Sequence, residues 1–149
     1  MKTLAVILGL VVVLLGAVAV WVRVAPTDTA VWHVDPATAA KPDKPNHWLL
    51  RADGEAPALQ LALPPDQAAA RLAEIAAATP RTIVLAGQGD HVTWVTRSAL
   101  FGFPDYTSVR ITPTAAGSEV TIFARARFGY SDMAVNRKRV EDWAARLAP

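Results

Sequence analysis

The chain opens on an unbroken apolar run and then settles into short, patterned segments. From Leu4 to Val22 there are 19 residues without a charge, all apolar except Gly9 and Gly16, bracketed by Lys2 and Arg23. At about 1.5 Å per helical residue, this run matches a bilayer core of ~30 Å, and a lone segment in lipid must be helical to satisfy its own backbone. The pattern predicts a transmembrane anchor over residues 1–23. Ala17-Val18-Ala19 also fits the A-x-A site of a cleaved signal, which is the alternative. Cleavage there would leave Val20-Trp21-Val22 as an apolar new terminus, and Trp21 suits an interfacial anchor, so the retained helix is the preferred reading.

Residues 24–47 carry Pro26, Pro36, Pro42 and Pro45 and read as an extended linker, since each proline removes a donor and disfavours helix before it. Trp32 and Trp48 are isolated aromatics that pin this stretch to the domain or stack on a ligand. The domain proper is expected over 48–149. Leu59, Leu61 and Leu63 alternate with Gln60 and Ala62 as in a strand. Pro64-Pro65-Asp66 then starts a helix that runs to about Thr79, with an apolar stripe of Ala68, Leu72, Ile75 and Ala76. Strand patterns follow over 82–86, 91–99, 106–112 and 119–127, separated by turn residues. After Gly129 a last helix begins near Ser131 or Asp132, with a stripe of Val140, Trp143, Ala144 and Leu147. The order β-α-β-β-β-β-α with short connections predicts an α+β two-layer sandwich: an antiparallel sheet with both helices on one face.

Strand parity sorts the side chains. Val92, Trp94, Thr107, Val109, Ile111, Val120, Ile122 and Ala124 face the helices, which leaves Thr93, Val95, Ser108, Phe123 and four arginines on the outer face. Arg97, Arg110, Arg125 and Arg127 are thus candidates for anion binding, because a guanidinium fork suits carboxylate or phosphate. The bland alternative is a solvated face. Charge supports a polarised domain: residues 24–96 hold 5 basic and 8 acidic side chains, residues 97–149 hold 8 and 5.

The stretches RSALFGFPDYTSVR (97–110) and RARFGYSDMAVNRKRVEDW (125–143) closely resemble the bacterial and plastid family called Domain of Unknown Function 1499. RTIVLAG (81–87) and WHVDP (32–36) extend the likeness more loosely. The signature falls on Arg97, Phe101, Gly102, Phe103, Asp105, Arg125, Arg127, Gly129, Asp132, Asn136, Arg137 and Arg139. Ala124 and Ala126 replace small hydroxyl positions, and Ala134 replaces a usual glycine. The resemblance implies a fold and a bacterial membrane context, not an activity. A structural role is the expectation for most of the signature, with Arg127 and Arg137 pairing with Asp105 and Asp132 to lock the last helix, and with Lys138 and Arg139 at the surface.

Candidate chemistry is sparse. Zero cysteines exclude thiol catalysis and thiolate metal sites. His33, His47 and His91 are widely separated, with no metal-ligand spacing, and His33 beside Asp35 reads as a turn hydrogen bond. GQGDHV opens a strand and is a hairpin turn, not a phosphate loop, and Glu141-Asp142 lies on an exposed helix. The expectation is a non-enzyme without cofactor or metal. Its partners are the membrane through Leu4–Val22 and an anionic ligand such as a lipid head group; nucleic acid is not expected. The alternative is an envelope assembly protein, with Phe123, Tyr130 and Trp48 on a partner surface. Lys2 and the terminal amine outnumber Arg23, which favours a cytoplasmic N-terminus and an exported C-terminal domain. With the bacterial context that the resemblance implies, the expectation is a single-pass protein of the bacterial inner membrane with a periplasmic domain.

Overall fold

Turn residues and apolar stripes divide the chain into elements, which the computed structural model describes over residues 1–148. They run α1 Lys2–Val24, α2 Thr29–Trp32, β1 His47–Leu50, β2 Leu59–Leu61, α3 Pro65–Ala78, β3 Thr82–Gln88, β4 His91–Arg97, β5 Pro104–Thr114, β6 Gly117–Ala126 and α4 Val135–Leu147. The six strands form one antiparallel sheet, ordered β1-β6-β5-β4-β3, with β2 beside the other half of β6. This is the α+β sandwich that the periodicity predicts. The helices cover one face, where Val92, Trp94, Val109, Ile111, Val120 and Ile122 meet the stripes of α3 and α4. Trp94 and Trp143 meet edge to face, ring centres 5.6 Å apart, and Trp143 Nε1 donates to Thr79 Oγ1 at the end of α3.

Two departures matter for function. Strand β1 was not legible, because its four residues HWLL carry no alternation and its partner is distant, with Trp48 opposite Ala124. The stretch 24–47 is pinned to the domain through Trp32, as expected, but it packs over far more than that one contact. Residues 26–37 form a strap across the outer face of the sheet and give the fold a third layer. Trp32 stacks on Tyr106 at 4.2 Å, Trp32 O accepts from Arg125 and Ser108, and Thr27 and Tyr106 share a hydrogen bond. The physical reason was present in the strands: Val95, Tyr106 and Phe123 make the outer face too apolar to meet water, and all three are buried. Phe123 is therefore withdrawn from any partner surface.

The turn into α4 carries a strained residue. Asp132 supplies the cap, its carboxylate accepting from the amides of Ala134 and Asn136, while Ala134 itself sits at φ 62°, ψ 22°. That left-handed conformation costs an alanine about 1–2 kcal/mol, whereas glycine adopts it freely at a smaller entropic cost. Ala134→Gly is expected to stabilise the chain in micelles by about 0.5–1 kcal/mol in chemical unfolding; a loss of stability would show that the turn is not strained.

Candidate functional site at the end of the apolar helix

Four of the signature residues, Arg97, Phe101, Gly102 and Phe103, gather where α1 meets the sheet. The β4–β5 connection folds back on itself: Ser98 N donates to Phe103 O, and Gly102 N to Ser98 O. Its outward carbonyls are taken by Arg23, whose Nη1 donates to Phe101 O at 2.8 Å and Nη2 to Leu100 O at 2.9 Å. Gly102, at φ +77°, lets the guanidinium approach, since a Cβ there would lie 3.0 Å from the Arg23 side chain. Arg97 Nη1 donates to Gly102 O at 2.9 Å, and Arg81 Nε to Arg97 O at 3.0 Å. Arg23, Arg81 and Arg97 thereby line a cavity of about 300 Å³ together with Ser98 and Gly102. No carboxylate lines this cavity, and none of the three arginines forms an ion pair among the described residues.

On the other side of the same corner, Trp21, Phe128, Phe103 and Phe101 form an aromatic chain with centroid spacings of 5.4, 5.9 and 5.7 Å. Val22 and Ala25 are buried, so the last turn of α1 is seated on the domain, not joined to it by a flexible link. Behind the aromatics, Asp105 accepts from Arg139 at 2.9 Å, and Arg139 also donates to Asn136 Oδ1. Burial raises the Asp105 carboxyl above its ordinary range; Arg139 pulls it back only in part, and Asp132 adds to the rise.

The pairing differs from the sequence expectation. Arg139, expected at the surface, holds Asp105; Asp132 caps α4; Arg137 pairs with Glu141 and covers the Trp48 ring; Arg127 donates to Pro26 O. In α4 the buried positions are Asn136, Val140, Trp143 and Leu147, so Arg139 flanks the buried stripe one turn from Asn136.

The four outer-face candidates do not form one patch. Arg97 goes to the cavity at the helix end. Arg110 is four residues along β5 from Tyr106, which pairs with Arg125, and it is bound by Asp35 at 3.0 Å and Asp90 at 3.2 Å. Arg125 lies under the strap, 9% exposed, between the rings of Trp32 and Phe123. Its Nη2 reaches Trp32 O at 2.8 Å, its Nε has no hydrogen-bond partner, and burial lowers its pKa to about 10. Parity placed Arg81 and Arg23 nowhere near Arg97. Arg81 precedes the edge strand and Arg23 belongs to the apolar helix, so only the tertiary fold joins them.

The strap also joins two histidines. His33 stacks on His91 at 4.0 Å and shares a hydrogen bond with Thr93, while His91 Nε2 meets Val34 O. Asp35 does not bond His33; it accepts from the Ala37 amide and from Arg110.

Fold and corner together define a helix-tethered α+β domain in which part of the distinctive set, Arg97 and Phe101 to Phe103, sits at the junction with the tether. Residues 34–147 match the family described as Protein of unknown function (DUF1499), and the chain belongs to that family. No curated protein and no solved structure matches it.

Two buried cations predict opposite outcomes. Arg139→Met leaves the Asp105 carboxylate buried and unpaired and is expected to cost about 3–5 kcal/mol, whereas Arg125→Met removes a charge with no carboxylate partner and is expected to be neutral or stabilising by ~1 kcal/mol. Equal losses in unfolding experiments would contradict the assignment. The strap carries a pH dependence. Burial, the His91 ring and Arg110 hold the His33 imidazole below its ordinary 6.5. The open or unfolded form therefore takes the proton first, so strap stability is complete above pH 6.5 and falls as pH drops through the lower, folded value. Amide exchange over residues 29–36, corrected for intrinsic rates, should be steady above about pH 6.5 and quicken as pH falls below it, and His33→Gln should flatten that response.

Proposed function

We propose that this chain is a non-enzymatic binding module of the bacterial envelope. In this reading α1 crosses the inner membrane once, the domain is periplasmic, and the cavity at the end of α1 holds the phosphate of an anionic lipid head group. The observation that carries the reading is the convergence of Arg23, Arg81 and Arg97 on one cavity without a carboxylate. Like charges brought together repel, and an anion relieves that repulsion while offering acceptors for their unused N–H groups. The position adds a reason. The apolar part of α1 ends one residue before Arg23, so a guanidinium cluster there lies level with lipid phosphates. This site retains Arg97 from the outer-face set and leaves Arg110 and Arg125 to the strap.

A second reading, an assembly protein acting through protein contacts, is favoured by strand β3. Among the described residues its outer edge has no strand partner, and Ile83 and Val84 on it are exposed.

The full chain in micelles, released in native mass spectrometry with added lipids, is expected to retain phosphatidylglycerol in preference to phosphatidylcholine. Losing one charged contact of about 1.4 kcal/mol or more should weaken that retention about tenfold or more in Arg81→Gln, whose side chain is at the surface, and leave it unchanged in Lys138→Gln. Equal retention of both lipids, or indifference to Arg81→Gln, would overturn the reading.

A further inference from the structure

The depth of α1 in a bilayer fixes the depth of what touches it. Its uncharged run of 19 residues spans about 28 Å as a helix, barely the ~30 Å of a hydrocarbon core, so neither end has length to spare. Trp21, in the last turn of that run, stands 5.4 Å from the ring of Phe128, and Arg23 holds the carbonyls of Leu100 and Phe101. Two loops, 98–103 and 128–133, are thereby carried to the level of the lipid head groups.

Those loops have the composition of a surface that meets lipid. Residues 98–103 are uncharged, as are 128–131; Arg97 and Arg127 precede them, while of the carboxylates that follow, Asp105 is paired with Arg139 and Asp132 is taken up by the amides of Ala134 and Asn136. Their tips expose Leu100 by 76%, Tyr130 by 71% and Met133 by 83%, large side chains that no neighbour in the fold covers. Behind Met133 a cavity of about 370 Å³ opens between Phe103, Phe128 and Val135, mostly apolar but with Asp105 and Asp132 also in its lining. Backbone chemistry agrees: Gly102 N and Ser98 N bond within the 98–103 loop, and Arg23 takes the Leu100 and Phe101 carbonyls. A loop can enter an apolar medium only if such groups are already satisfied. Apolar and aromatic tips with free arginine charge behind them, their neighbouring carboxylates already held by Arg139 and by the α4 amides, match the division between the acyl boundary and the phosphates above it.

We propose that Leu100, Tyr130 and Met133 form a bilayer-contact surface that inserts into the boundary between head groups and acyl chains, so that the domain lies on the membrane and does not hang from its tether. The proposal rests on α1 spanning the bilayer and is independent of lipid selection by the arginine cavity.

The chain has no cysteine, so single-cysteine variants of the full protein accept one fluorophore each. Leu100→Cys and Met133→Cys report the surface and Val12→Cys reports the span. Ala116→Cys, in the β5–β6 turn, sits a strand length of roughly 35 Å from the surface. In phosphatidylcholine vesicles, labels at 100 and 133 are expected to be quenched several-fold more by shallow spin-labelled lipid than the label at 116, and to be shielded from aqueous iodide. If 100 and 133 behave like 116 while 12 is quenched by deep spin-labelled lipid, the surface is refuted and the anchor stands. If the label at 12 is open to iodide, the anchor reading fails and the surface with it. Shielding from iodide at 100 and 133 without quenching by lipid would mean that a protein covers these loops, which also overturns the proposal.

Discussion

The seating of Arg23 against the β4–β5 connection organises this molecule. A helix that ends in a charged residue would ordinarily leave that side chain in water, and the chain beyond it free to wander. Here the guanidinium bridges two carbonyls of a folded loop, and Gly102 is the residue that lets it in. With α1 fixed, the chain leaving it runs from Ala25 across the sheet, and Arg127 catches it at Pro26. The strap, the aromatic chain from Trp21 to Phe101 and the three-arginine cavity all depend on that first contact.

The strap explains why so much polar chemistry lies where a two-layer sandwich would be wet. Its Trp32 carbonyl and ring lie over Arg125, and its Asp35 holds Arg110. Burying a cation without a carboxylate is costly, and the rings of Trp32 and Phe123 offset only part of that cost. The Asp105–Arg139 pair is the opposite case, two opposite charges withdrawn from water together, with Asn136 completing the arrangement. One ties α4 to β5 through a balanced pair; the other leaves an imbalance under a removable cover.

Much of the architecture was legible. Parity along β4, β5 and β6 named the inner face, and the stripes of α3 and α4 are those now buried against it. The Pro64-Pro65-Asp66 start and the Asp132 cap lay in the local sequence. What was missed has a common cause. Strand β1 lacks alternation, and the strap has the prolines of a linker, so neither has a periodicity to read; both exist because distant surfaces receive them. The candidate site was half legible: Arg97 and the glycine and phenylalanines beside it stood out as a motif, while Arg81 and Arg23 carried no signal.

By itself, the sequence determined the apolar helix, the face that residues of β4, β5 and β6 take and the family, since all three follow from residue order over a few neighbouring positions. The tertiary structure alone decided which arginine meets which carbonyl or carboxylate, that the outer face is covered, and that three guanidinium groups share one cavity. Pairings between residues some 15 to 100 positions apart are set by how layers stack, and a one-dimensional pattern does not encode that stacking.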